Sequence, residues 1–290
     1  VVEMRNMFQA AAAFNQEIRS WTLNGDADVY AWCYTELFKG ATAFNTAFGT
    51  NDTTGREFFT QDKAELKTAT LAFNQMEDDA PGYDSAKEAA AEAKYGRFST
   101  LYTKSDDMSG LFTGNATFNR SITAWKNLQQ VTNIESLFEN AVAYIKPFPT
   151  TMSSVVNVKN LFKGASSFNQ SFDFANFGTI TDLTSVFEGA TAFAQTLSYD
   201  ASNVTTLYRS FMGTSITGIT LSSTNTDTNL AVLTNLESTF ENCSSLATFT
   251  ISVLLTKVTT AKNMFKNCSA LNNDITIVSD ELTTVESILE

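Results

Sequence analysis

Histidine is absent from all 290 residues. That one absence removes Ser-His-Asp and Cys-His catalysis together with the commonest transition-metal ligand. Basic residues are also few: 19 Lys and Arg stand against 31 Asp and Glu, giving a net charge of −12 and a pI near 4.5. An acidic chain repels phosphate backbones and anionic membranes, so nucleic acid is not an expected partner. No run approaches the ~20 apolar residues that span a bilayer, and no basic start leads into an apolar signal segment, so no transmembrane segment is expected. The 13 glycines stand singly, which leaves no glycine-rich phosphate loop. With 31 acidic residues, paired carboxylates capable of glycoside hydrolysis must occur, but the sequence singles none out. The expectation is therefore of no catalytic, cofactor-binding or metal-binding residues.

What the chain does have is a repeat. Aligned on Phe162, the same pattern returns at Phe8, Phe38, Phe112, Phe138, Phe187, Phe211, Phe240, Phe265 and Leu289, with steps of 26, 24, 25, 24, 29, 25 and 24 residues from Phe112 onward. Self-similarity at such a period marks a solenoid, in which each coil buries its apolar side against the next. Apolar residues lie one, four and seven positions before each anchor, as in Leu161, Val158 and Val155. That spacing predicts a short helix with one inward face. Thr132 with Glu135, Thr234 with Glu237 and Thr283 with Glu286 have the spacing of capping boxes at its start. Two residues after the anchor, Gly40, Gly114, Gly164, Gly189 and Gly213 exchange with Asn140, Asn242 and Asn267, which predicts a left-handed cap.

Beyond the cap stands a small residue (Ala41, Ala141, Ala165, Ala190, Cys243 or Cys268), suited to close packing. Six residues after the anchor come Phe14, Phe44, Phe118, Tyr144, Phe168 and Phe193, a predicted ladder of rings. Alternation through Ile122, Phe148, Phe172 and Leu197 then predicts a short strand. Asn15, Asn45, Asn119 and Asn169 follow the ring directly and are read as satisfying backbone groups along the stack, with ligand binding the lesser alternative.

Taken in order, residues 1–290 read as a single repeat solenoid whose two ends both fall inside a repeat. The uncapped apolar residues there (Val1, Met4, Met7, Leu282, Val285, Ile288 and Leu289) are expected to stack on further coils or on another copy. Asp26 and Asp28 in the loop 24–28 have calcium-type oxygens but lack the later ligands of a calcium loop, so a solvated loop is expected. Residues 51–77 read as a degenerate, stretched coil, and a charged helical insertion is expected at about 78–99, with its helix over 84–97. The Ser- and Thr-rich stretch 214–229 reads as a surface loop. Cys243 and Cys268 occupy one column in consecutive coils; a buried thiol replacing Ala is expected over a disulfide, which the strand spacing of ~4.8 Å would also reach. The seven N-x-S/T sites, at Asn51, Asn115, Asn119, Asn169, Asn203, Asn242 and Asn267, are what so Ser-, Thr- and Asn-rich a chain produces by chance.

The coil MRNMFQAAAAFNQEIRSW and the later LFKGATAFN, LFKGASSFNQSF and MFKNCSAL resemble BspA-like surface-protein repeats, also called the mycoplasma-type lipoprotein repeat. The likeness covers nearly the whole chain outside residues 78–99, although the strand tryptophan of that pattern is kept only at Trp21 and Trp125 and no lipoprotein signal is visible. The resemblance implies an α/β repeat solenoid: a right-handed, leucine-rich-repeat-like stack of about ten to eleven coils of 24–25 residues, each a short helix plus a short strand in a parallel sheet. It also implies an extracellular or surface-exposed protein of attachment. The expected function is thus non-enzymatic, structural or adhesive, with protein or glycan surface partners and self-association through the end coils open. Two alternatives stand beside it: a polysaccharide-acting enzyme using a carboxylate pair, and an intracellular interaction scaffold.

Overall fold

The computed structural model describes residues 10–13, 41–42, 63–73, 86–87, 91, 98, 101, 103, 105–125, 127–222, 232–251 and 255–272. The expectations for Phe8, Phe38, Leu289, Asn15, Asn45, Asp26, Asp28, Trp21, the Thr283–Glu286 cap and both chain ends lie outside these residues. The chain divides into two compact units, residues Val1–Ser105 with Ala124–Asn127, and residues Asp106–Thr123 with Leu128–Glu290.

In the first unit, helix α1 (Lys63–Ala72) occupies part of the segment expected to be a stretched coil. Its sequence KAELKTATLA is rich in strong helix formers. Leu66, Ala69, Thr70 and Phe73, three and four residues apart, are buried, while Leu71 points out. Phe73 meets Phe98 edge to face at 5.3 Å, and Phe98 meets Trp125 in the same manner at 5.4 Å. The Trp125 indole donates to the Phe98 carbonyl at 2.7 Å, so its one polar group is satisfied inside the cluster. Within the expected 84–97 helix, Ala86, Lys87 and Ala91 are helical; the first two are exposed and Ala91 is buried.

The second unit is built on the repeat, and here the expected short helices are replaced by turns. The reason is a second left-handed residue. The cap position is left-handed as expected, at Gly114, Asn140, Gly164, Gly189, Gly213, Asn242 and Asn267, but so is the residue two before each anchor: Gly110, Ser136, Asn160, Ser185, Arg209, Ser238 and Asn263. A right-handed helix cannot contain such a residue in its middle. Instead, N–H groups reach back three residues, as Leu161 to Val158, Lys163 to Asn160 and Ala165 to Phe162, and in the first and last of these the third residue, Asn160 or Gly164, has the positive φ that a type II turn requires. The alternate N–H groups leave the repeat altogether. Asn160, Phe162 and Gly164 donate to the carbonyls of Thr184, Val186 and Glu188 at 3.1, 2.8 and 2.7 Å, and the equivalent anchor bond recurs from Phe112 through Phe240.

Strand structure follows in three repeats: β1 (Thr196–Asp200), β2 (Gly218–Ser222) and β3 (Thr248–Ile251) form a parallel sheet in that order. Leu197, Ile219 and Phe249 are in register and point inward. Strand β2 corrects the loop expected from Thr214 onward. Its hydroxyls are on the outer face, while Ile219 and Leu221 alternate inward, and Thr and Ile fit a pleated, half-buried surface. In the repeat before β1, the corresponding segment contains instead a 3-10 turn, Phe174–Asn176, whose start is capped by Asp173 accepting from Ala175.

Inside the second unit the anchor rings form one column. Centroids from Phe112 through Phe138, Phe162, Phe187, Phe211 and Phe240 to Phe265 lie 5.1–5.7 Å apart with ring planes within 15°. A second column, Phe118, Tyr144, Phe168 and Phe193, runs beside it at 5.9–6.1 Å. Phe148 and Phe172 close the anchors edge-on. Phe162→Ala is expected to destabilise the chain by about 3–5 kcal/mol. Leu71→Ala, at an exposed site, should cost less than about 0.5 kcal/mol. Denaturant melts of both variants check this; equal losses would contradict the packing.

Candidate functional site

The polar side chains of the second unit are arranged in columns that link one repeat to the next. Five residues before the anchor, Asp107, Asn133, Asn157, Asp182, Thr206 and Asn235 each accept from the N–H two residues on, at 2.8–3.3 Å. These side-chain turns replace the expected capping boxes, since Thr132 and Thr234 send their hydroxyls to the carbonyls of Asp106 and Thr205 in the preceding repeat. Asp107, Asn133 and Asn157 also pair as parallel bridges, as do Asp182, Thr206, Asn235 and Thr260. The exchange of Asn, Asp and Thr at one position was the signal available in the sequence for this column.

Two inward hydroxyls had no such signal. Ser210 and Thr239 stand where other repeats carry Leu, Val or Met, are fully buried, and donate to the carbonyls of Leu183 and Leu207. The asparagine column satisfies backbone groups along the stack, as expected, without an Asn-to-Asn ladder at Asn119 and Asn169. Asn119 accepts from the Ile145 N–H and Asn169 from the Ala194 N–H, both at 3.0 Å, because the following repeat has no Asn at that level. Asn169 also accepts from the Gln195 side-chain amide at 2.7 Å, and at the cap Asn267 donates to Asn242 at 2.7 Å.

Charge is concentrated on the turn face. Lys159 pairs with Asp182 at 2.7 Å, Lys266 with Glu241 at 3.7 Å, and Glu188 lies between Lys163 and Arg209 at 3.4 and 3.3 Å. Glu188 thereby joins three repeats. Its Oε2 is buried without a hydrogen bond and faces the Lys163 ammonium, while Arg209 approaches Oε1. The Glu135 carboxylate accepts from Asn157, and that of Glu241 from Ser238.

Cys243 and Cys268 are free thiols. Each donates to the anchor carbonyl of the preceding repeat, Phe211 at 2.9 Å and Phe240 at 3.0 Å. Burial pushes both thiols up, Cys268 to about 12 with the neighbouring Cys243 adding to the effect. Burial likewise raises the Tyr144 phenol far above its ordinary value, so it remains neutral and donates to the Pro147 carbonyl. Among the described residues no group of three or more Cys, Asp or Glu is placed to hold a metal ion, and no helix is long and apolar enough to cross a membrane.

A chain in which one unit recurs, each copy bonded through the same positions to the next, is a repeat protein. This one belongs to the family described as Mycoplasma protein of unknown function, DUF285, whose model matches residues 1–75, 90–198 and 157–278. Of the unmatched residues, 76–89 and 279–290, the first group falls within the segment where the repeat pattern fails. No curated protein and no solved structure matches the chain.

Two outcomes follow from these side chains. Burial pushes the Asp182 carboxyl up, but hydrogen bonds from Lys159 and Thr184 outweigh it and hold it below 3.8. Lys159 is raised above 10.5, chiefly by its bond to Asp182. Asp182 therefore stabilises the fold above its unfolded value and loses that contribution as pH falls through the folded one; Lys159 stabilises below its unfolded value and loses this as pH rises through the folded one. Asp182→Asn, which keeps the turn, should be less stable near neutral pH by at most about 1 kcal/mol. Its denaturant midpoint should converge with that of the natural protein in acid. For the thiols, mass-spectrometric mapping after brief alkylation should find Cys243 unmodified in the folded chain and modified once the chain is denatured.

Proposed function

We propose that this chain is a non-enzymatic structural or adhesive protein of an extracellular or particle surface, and that its repeats form a right-handed, leucine-rich-repeat-like solenoid of the BspA-like kind. The reading rests most on how polar groups are used. Asn, Asp, Thr, Ser and Cys side chains that a catalyst would aim at a substrate instead bond to the fold itself, either within the repeat, as Asp182 to Thr184, or from repeat to repeat, as Asn169 to Ala194, Thr234 to Thr205, Ser210 to Leu183 and Cys268 to Phe240. Such wiring supports a protein whose product is a shaped surface, available to protein or glycan partners. The net charge of −12 agrees with partners other than nucleic acid.

Two measurements test the proposal. Protease treatment of intact source cells should release peptides of this chain, and the purified full chain should be retained on protein-coated or glycan-coated surfaces. Protection of the chain until cells are lysed would exclude a surface role. Release of new reducing ends from a polysaccharide panel would establish the enzymatic alternative instead.

A further inference from the structure

We draw no further inference here: the strongest candidate, the outward hydroxyl-bearing face of the three-stranded sheet with Thr196, Ser198, Thr220, Ser222, Thr248 and Thr250, is a stripe of small residues and nothing in the structure shows what covers it.

Discussion

Everything in the second unit depends on the transfer of alternate backbone N–H groups from one repeat to the next. In the segment around Phe162, half of the amides close turns within the repeat and the other half, at Asn160, Phe162 and Gly164, find their only protein partner in the repeat that follows. A buried amide left without a partner costs on the order of 1–3 kcal/mol. Each repeat therefore needs a follower in one register. The left-handed residues two before and two after the anchor make this possible, since each is the third residue of a turn that the next amide closes, while its own N–H is directed to the following repeat. Where the left-handed residue is Gly164, a side chain would also collide with the amide of Asn140 in the preceding repeat. At the other cap positions backbone conformation alone accounts for the exchange of Gly and Asn, since a Cβ would fit at Gly114, Gly189 and Gly213 and Asn267 follows Asn242 directly.

The same register fixes the aromatic core. Parallel backbone pairing sets neighbouring repeats ~4.8 Å apart. Anchor rings 5.5 Å apart, such as Phe138 and Phe162, must then be displaced sideways by about 2.7 Å between layers. An offset stack is the arrangement that ring quadrupoles favour over a direct sandwich. Within a repeat no backbone spacing intervenes, and Phe162 approaches Phe168 to 3.9 Å. Ring packing and hydrogen bonding consequently require the same translation, and neither is strained to accommodate the other.

Much of this was legible in the residues. The period, the anchor column, the ring six residues on and the buried positions Val155, Val158 and Leu161 all follow from spacing alone. The helix was misread because a spacing of three belongs to successive turns as well as to helices. What distinguishes them is the conformation of Ser136, Ser185, Arg209 and Ser238, residue types that do not advertise a positive φ. Strand β2 was hidden by its outward hydroxyls, and α1 by a Phe-Asn pair, Phe73 and Asn74, that imitates the repeat beyond its last turn. The inward Ser210 and Thr239 broke the apolar pattern without breaking the fold, because each finds a carbonyl in the repeat behind it.

That last case shows how the repeat tolerates variation. The position after the cap is Ala in the Phe162 and Phe187 repeats, Thr214 in the next, then Cys243 and Cys268. Thr214 and Cys243 both donate to the Phe211 carbonyl, and Cys268 to that of Phe240; alanine leaves the anchor carbonyl to the backbone N–H of its own repeat. What is preserved is therefore small volume and a satisfied carbonyl, not a particular residue. Columns bound by such rules carry little information that differs between repeats. On the surface role proposed above, discrimination among partners would have to reside in the exposed positions that change from one repeat to the next. Val142 and Ile145 are such positions, standing where the following repeat has Ser166 and Asn169.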